Sequence, residues 1–168
     1  MPRPLICVTL SGCTVDEMLK DAAMATAAGA DLVEVRLDKL WAIEQMPEPE
    51  PEEEDGERRR PRYIEPEFIP QPLDSVDVQA ALESFKQGID LPVVLTCRPE
   101  RQQGHYPGEE AQRIEVLSAA IKSGVSWIDL EADIESKVRE SLMDAASGKT
   151  KVVASYHSSE SPPSASEI

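Results

Sequence analysis

A chain of 168 residues suits one domain, and with 40% hydrophobic and 29% charged residues most of it can fold around a core. Lys plus Arg is 17 against 32 for Asp plus Glu, a net charge of −15, which disfavours DNA, RNA or an anionic membrane as partner because phosphate binding needs clustered cations. Aromatic residues are only 4%, which argues against base-stacking platforms, and no apolar run approaches the roughly 18 residues of a membrane span.

Met1-Pro-Arg-Pro-Leu-Ile runs straight into a strand-like segment, so no signal or transit segment is expected ahead of it. Pro4–Leu10 is a β-branched apolar run. Thr14-Val-Asp-Glu17 is a capping box that opens an Ala/Met-rich helix ending at Gly29. Asp31–Leu37 is the second strand. Residues 44–74 then hold half of the chain's 14 prolines; Glu48–Glu57 is nearly all Glu, Asp and Pro, and Arg58, Arg59, Arg60 and Arg62 follow. Such a stretch buries too little apolar surface to offset its ordering entropy, so it is expected to be a disordered, solvated insertion.

Beyond it, Val78, Ala81, Leu82 and Phe85 recur at helical spacing within Ser75–Gln87, closed by Gly88. Pro92–Cys97 is the third strand. Glu109–Lys122 is a helix with Ile114, Leu117, Ala120 and Ile121 on one face, stopped by Gly124. Ser126–Glu131 is the fourth strand, Ile134, Val138, Leu142 and Ala145 mark another helix, and Lys151–Tyr156 is the fifth strand. Strict alternation of strand and helix implies a parallel sheet with right-handed crossovers. Cys7, Cys13 and Cys97 are odd in number and form no CxxC pair, so neither a disulfide framework nor a zinc site is expected, and a reducing compartment fits.

Side chains on a strand alternate between faces. One face of each strand is apolar (Ile6, Val8, Leu10; Val33, Val35, Leu37; Val93, Leu95; Ile128, Leu130; Val152, Ala154) and should meet the helices. The other face turns polar toward the C-terminal end: Thr9, Ser11; Glu34, Arg36; Thr96, Arg98; Asp129, Glu131; Ser155, His157. In a doubly wound sheet both faces lie under helices and such charges would be buried to no purpose. In a (β/α)8 TIM barrel the strand ends ring one mouth, where active sites sit. The expected fold is therefore α/β, a partial (β/α)8 barrel with about five of the eight βα units. Read singly, the same residues admit plainer roles: Asp129 and Glu131 fit a helix-capping pair, Arg98 a loop arginine, and His105 an exposed loop histidine.

Ile6-Cys-Val-Thr-Leu10, Gly29-Ala-Asp-Leu-Val-Glu-Val-Arg-Leu-Asp38, Pro92-Val-Val-Leu-Thr-Cys-Arg-Pro99, Trp127-Ile-Asp-Leu-Glu131 and Lys151-Val-Val-Ala-Ser-Tyr-His157 together resemble the type I 3-dehydroquinate dehydratases. The resemblance covers nearly all of the chain except the insertion. It implies a Schiff-base dehydration of 3-dehydroquinate to 3-dehydroshikimate in the shikimate pathway: a lysine forms an imine with the C3 ketone, and a histidine removes the C2 proton and protonates the leaving C1 hydroxyl.

By that resemblance His157 is the general acid/base, Glu34, Arg36 and Arg98 hold the substrate, and Asp129, Glu131 and Gln102 support the site. No cofactor or metal is implied. The partner is a small-molecule substrate, with a homodimer or a fusion to a shikimate dehydrogenase domain as wider contexts, and a cytoplasmic location, or a plastid if a transit segment is missing from this chain. Two departures are visible. The family's lysine lies on the strand after the histidine strand, whereas Lys149 and Lys151 begin the histidine strand itself; the 168-residue chain is expected to stop short of the lysine, to be inactive alone and to leave sheet edges open. The family's glutamate that orients the histidine is here Gln102. A non-catalytic remnant acting through the acidic insertion is the alternative.

Overall fold

The structure, a computed structural model, describes residues 3–47 and 65–157. Five strands form one parallel sheet: β1 (Cys7–Thr9), β2 (Leu32–Arg36), β5 (Val93–Thr96), β6 (Trp127–Glu131) and β7 (Lys151–Ser155), paired in that order. Between them run α1 (Val15–Ala27), α2 (Val78–Gly88), α3 (Glu110–Ser123) and α4 (Ser136–Ala146). Each strand of the sheet pairs with the next one in the chain, without the reversal a doubly wound sheet requires. With a constant crossover hand, this order puts every helix on one face and leaves the other as a barrel interior.

The core fills the space between sheet and helices. Leu10, Val33, Val35, Leu95, Ile128 and Leu130 meet Met18, Ala22, Leu82, Phe85, Leu117, Ala120, Ile121, Leu142 and Ala146, all buried. A fully buried aliphatic side chain of this size contributes about 1.5–3 kcal/mol. Expectation and structure part at the sheet's edges. Ile6 and Ala154, expected under helices, are exposed, Ile6 by 53%; Ile6 directly precedes β1 and Ala154 lies on β7, the two outermost strands. On α4 the buried position is Ala146 rather than Ala145, which keeps the four-residue step from Ile134 through Val138 and Leu142.

The local signals hold where the chain can satisfy its own backbone. Thr14 accepts from the Glu17 amide at 3.2 Å and Glu17 accepts from the Thr14 amide at 3.1 Å, completing the capping box of α1. Replacing Thr14 by alanine should cost about 1 kcal/mol, read as a lowered urea midpoint with unchanged slope. Helix α3 stops at Gly124, whose φ of +84° suits glycine, and whose N–H donates to the carbonyl of Ile121.

The insertion is corrected at both ends. Ala42–Gln45 (β3) and Glu67–Pro70 (β4) form an antiparallel ribbon, so residues 44–47 and 65–74 are ordered; residues 48–64 lie outside the described residues. Buried Trp41 anchors the ribbon: its indole N–H donates to Leu73 at 2.9 Å and its ring meets Tyr106 edge-on at 4.9 Å. Among the described residues no helix is long and apolar enough to cross a membrane.

Candidate active site at the strand ends

The interior face is set by period two along the register. Thr9 pairs with Glu34, Arg36 with Thr96, and Glu131 with Ser155, so the polar tips of neighbouring strands stand side by side. Glu34 bridges three strands, its two carboxylate oxygens accepting from Thr9 at 2.6 Å and from buried Thr96 at 2.8 Å. Arg36 is gripped by Asp38 through Nε at 2.9 Å and Nη2 at 2.7 Å.

His157, just past β7, is held on both ring nitrogens. Arg98 Nη2 lies 2.7 Å from Nε2, and Gln102 Oε1 lies 3.1 Å from Nδ1. A guanidinium only donates, so Nε2 is the acceptor, and the proton sits on Nδ1, where it is donated to the amide oxygen. Partial burial, with the cation of Arg98 next in weight, lowers the His157 pKa below the ordinary histidine value of 6.5. Gln102 reaches the ring from the 3₁₀ turn Glu100–Gln102 after β5 and is itself buried.

Asp129 lies beside this pair, 4% exposed. Burial raises its pKa, and the charges of His157 and Arg98 only partly offset that. Asp129 Oδ1, Arg98 Nε and Ser155 Oγ are buried without a hydrogen-bond partner among the described residues. The Nε2 lone pair, which accepts from Arg98 here, becomes the ring's basic site once that bond is released to a ligand, while the arginines and the carboxylates of Glu34 and Asp129 can bind an anionic polyol.

Glu131 does not join this group directly. Its carboxylate is fully buried against Arg113 of α3 at 2.7 Å, and Arg113 also donates to the carbonyl of Cys97 at 2.9 Å and to Glu110 at 2.7 Å. Arg101 extends the network, binding Asp133 and Glu110 at 2.8 Å each. Glu131 therefore braces α3 against the ends of β5 and β6. Sequence reasoning missed Arg113, Asp38 and Asp133; only Asp38 carried a signal, as the third member of the alternation Glu34, Arg36, Asp38. His105, expected to be exposed, is partly buried, stacks on Phe68 at 4.5 Å and donates its backbone N–H to Asp38. Burial, ahead of nearby charges, lowers its pKa.

Lys151 begins β7, at the end away from His157, with its ammonium 4.6 Å above the Trp127 ring. A cavity of about 540 Å³ lies between the β1–α1 loop and the ribbon, lined by Ser11, Cys13, Glu17, Asp21 and Glu44 among others; neither His157 nor Arg98 lines it.

Comparison with known proteins agrees with this geometry. The sequence profile of the type I 3-dehydroquinases matches residues 6–168. The chain is 29% identical over 164 residues to the chloroplastic bifunctional 3-dehydroquinate dehydratase/shikimate dehydrogenase of Arabidopsis thaliana, covering 98% of this chain and 22% of that protein. It is 27% identical over 165 residues to the 3-dehydroquinate dehydratase of Methanopyrus kandleri, covering 98% of this chain and 58% of that one. Among solved structures, the type I 3-dehydroquinate dehydratase of Clostridium difficile, crystallised with covalently modified comenic acid, superposes with a TM-score of 0.70 at 21% identity, covering 97% of this chain and 54% of that one. The dehydroquinate dehydratase and shikimate dehydrogenase portion of the S. pombe AroM protein superposes with a TM-score of 0.60 at 24% identity, covering 93% of this chain and 25% of that one. These two likenesses show the fold, a partial TIM barrel, and the chain spans only part of each relative's length. Matched along almost its whole length by the family's profile, the chain belongs to the type I 3-dehydroquinase family.

Proposed function

We propose that this chain supplies the acid/base and substrate-holding side of a 3-dehydroquinate dehydratase site. As Arg98 turns from the ring to the substrate, His157 Nε2 takes the C2 proton of the substrate's imine and later delivers it to the departing C1 hydroxyl, giving 3-dehydroshikimate and water. Glu34, Arg36 and Arg98 hold the hydroxyl and ketone region, and Asp129, whose buried Oδ1 has no partner among the described residues, is free to accept from the substrate beside His157. The reaction also takes an imine-forming lysine, a role that Lys151, at the far end of the His157 strand, does not fit. The observation that carries this reading is the imidazole seated between Arg98 and Gln102, its two nitrogens held at 2.7 Å and 3.1 Å. The bifunctional relatives make fusion to a shikimate dehydrogenase domain a natural context.

The test is turnover by the full-length polypeptide. Incubation with 3-dehydroquinate should produce the ultraviolet absorbance of a conjugated enone; a folded protein that generates none contradicts the proposal.

Gln102 sharpens the pH dependence. An amide orients the ring but cannot stabilise its cation, so the acid limb of kcat/KM should fall below the 6.5 of an ordinary histidine. Gln102→Glu would place a carboxylate against Nδ1, favour the imidazolium, and move that limb upward by about one pH unit or more. An unmoved limb would mean that Gln102 does not set the histidine's charge.

A further inference from the structure

We propose that Asp38 is a positioning residue of this site, a buried carboxylate that locks the Arg36 guanidinium and the β5–α3 loop at His105 into one register. The proposal rests on the dehydratase reading above and extends it to a residue which that reading leaves unassigned.

Asp38 lies in the 3₁₀ turn Leu37–Trp41 directly after β2 and is fully buried. A carboxylate removed from water is tolerated only when its lone pairs are used. Here Oδ1 accepts from Arg36 Nε at 2.9 Å, and Oδ2 accepts from Arg36 Nη2 at 2.7 Å and from the His105 backbone N–H at 3.1 Å. The two-point grip on one edge of the guanidinium fixes its plane, leaving Nη1 uncommitted among the described residues. A lysine or a singly bonded arginine would be free to swing.

The third bond joins a different element. His105 stands on the loop that also carries Gln102, and Gln102 holds His157. The ribbon packs on that loop through Phe68 on His105, and Trp41, at the end of the Asp38 turn, packs on Tyr106, so the Asp38 bond closes a ring of contacts around it. One carboxylate thus connects the arginine expected to grip substrate with the loop that orients the general base. Displacements of about 1 Å at such positions can cost on the order of a hundredfold in rate.

The experiment uses the full-length polypeptide and the variants Asp38→Asn, Arg36→Gln and the double variant, with steady-state kinetics on 3-dehydroquinate and thermal melts. Asp38→Asn should raise KM by about tenfold or more while lowering kcat less, because a bound ground state loses its fixed cation. In the Arg36→Gln background the same change should raise KM by no more than about a further twofold, because the arginine that Asp38 fixes is already gone, while its smaller effect on kcat, carried by the His105 loop, should persist. Unchanged KM in folded Asp38→Asn, or KM effects that simply multiply, would overturn the proposal. Should Asp38→Asn fail to fold, Asp38→Glu keeps the charge but shifts it by one methylene, and should raise KM to a smaller degree; parent-like KM there would also count against it. Nitrogen-15 NMR separates this proposal from the reading beneath it. Without any turnover in the parent the dehydratase reading fails, whereas the Arg36 Nε–H and His105 amide signals should still move together on substitution of Asp38, and movement of neither would sink the clamp.

Discussion

Replacing His157 by asparagine should lower kcat of the full-length polypeptide by about 10²- to 10⁴-fold, the range over which a positioned acid/base acts. Asparagine keeps a polar group of similar reach, and the ring is only partly buried at the edge strand, so the thermal midpoint should move little. The imine itself does not need His157 as nucleophile, so borohydride should still trap substrate on the protein while release of the C2 proton is lost. That pattern separates a proton-transfer role from a binding role, in which trapping would weaken along with turnover. Equal activity of the variant and its parent would remove His157 from the chemistry.

Replacing Arg113 by methionine should destabilise the fold by about 3–5 kcal/mol, the cost of stranding one member of a buried ion pair. Both side chains of the Arg113–Glu131 pair have no exposure, and Glu131 Oε1 already lacks a partner among the described residues. Burial works against the charge of Arg113, yet the hydrogen bonds and charges of Glu110 and Glu131 outweigh it and leave its pKa raised. Burial likewise leads the upward shift of Glu131, with Arg113 pulling the other way, so loss of the arginine would leave a carboxyl driven to its neutral form. The double variant Arg113→Met with Glu131→Leu removes both charges and should return to within about 1 kcal/mol of the parent or exceed it. Urea denaturation of parent, single and double variants measures this. A single variant costing under about 1 kcal/mol would show that the pair is not load-sharing between α3 and the strand ends. Because Arg113 also holds the Cys97 carbonyl, next to Arg98, the single variant should raise KM as well.

The barrel-type order and the shared face were legible because two-residue alternation is a strong local signal. Glu34 and Arg36, Thr96 and Arg98, and Ser155 and His157 each stand two apart at a strand end, and a shared interior accounts for all of them at once where the plainer roles account for them only singly. Gln102 was legible only through family likeness, as its contact with His157 spans a loop. Arg113 was hidden for a physical reason: one charge within a helix reads as solvent-facing, and the partner that allows its burial lies 18 residues on, at the end of another strand. The β3–β4 ribbon was hidden by composition. Its strands flank an acidic, proline-rich stretch, and pairing of Ile43 with Ile69 leaves no local periodicity to detect. His105 looked exposed because its loop is rich in Gly and Pro, but Phe68, on the other side of that stretch, covers it.

Borohydride reduction of the full-length polypeptide in the presence of 3-dehydroquinate is the most direct test of the Schiff-base dehydratase account. It should yield one stable adduct on a single lysine, found by mass spectrometry, with loss of enone formation in step with adduct formation. Turnover that survives borohydride with no adducted lysine would contradict it.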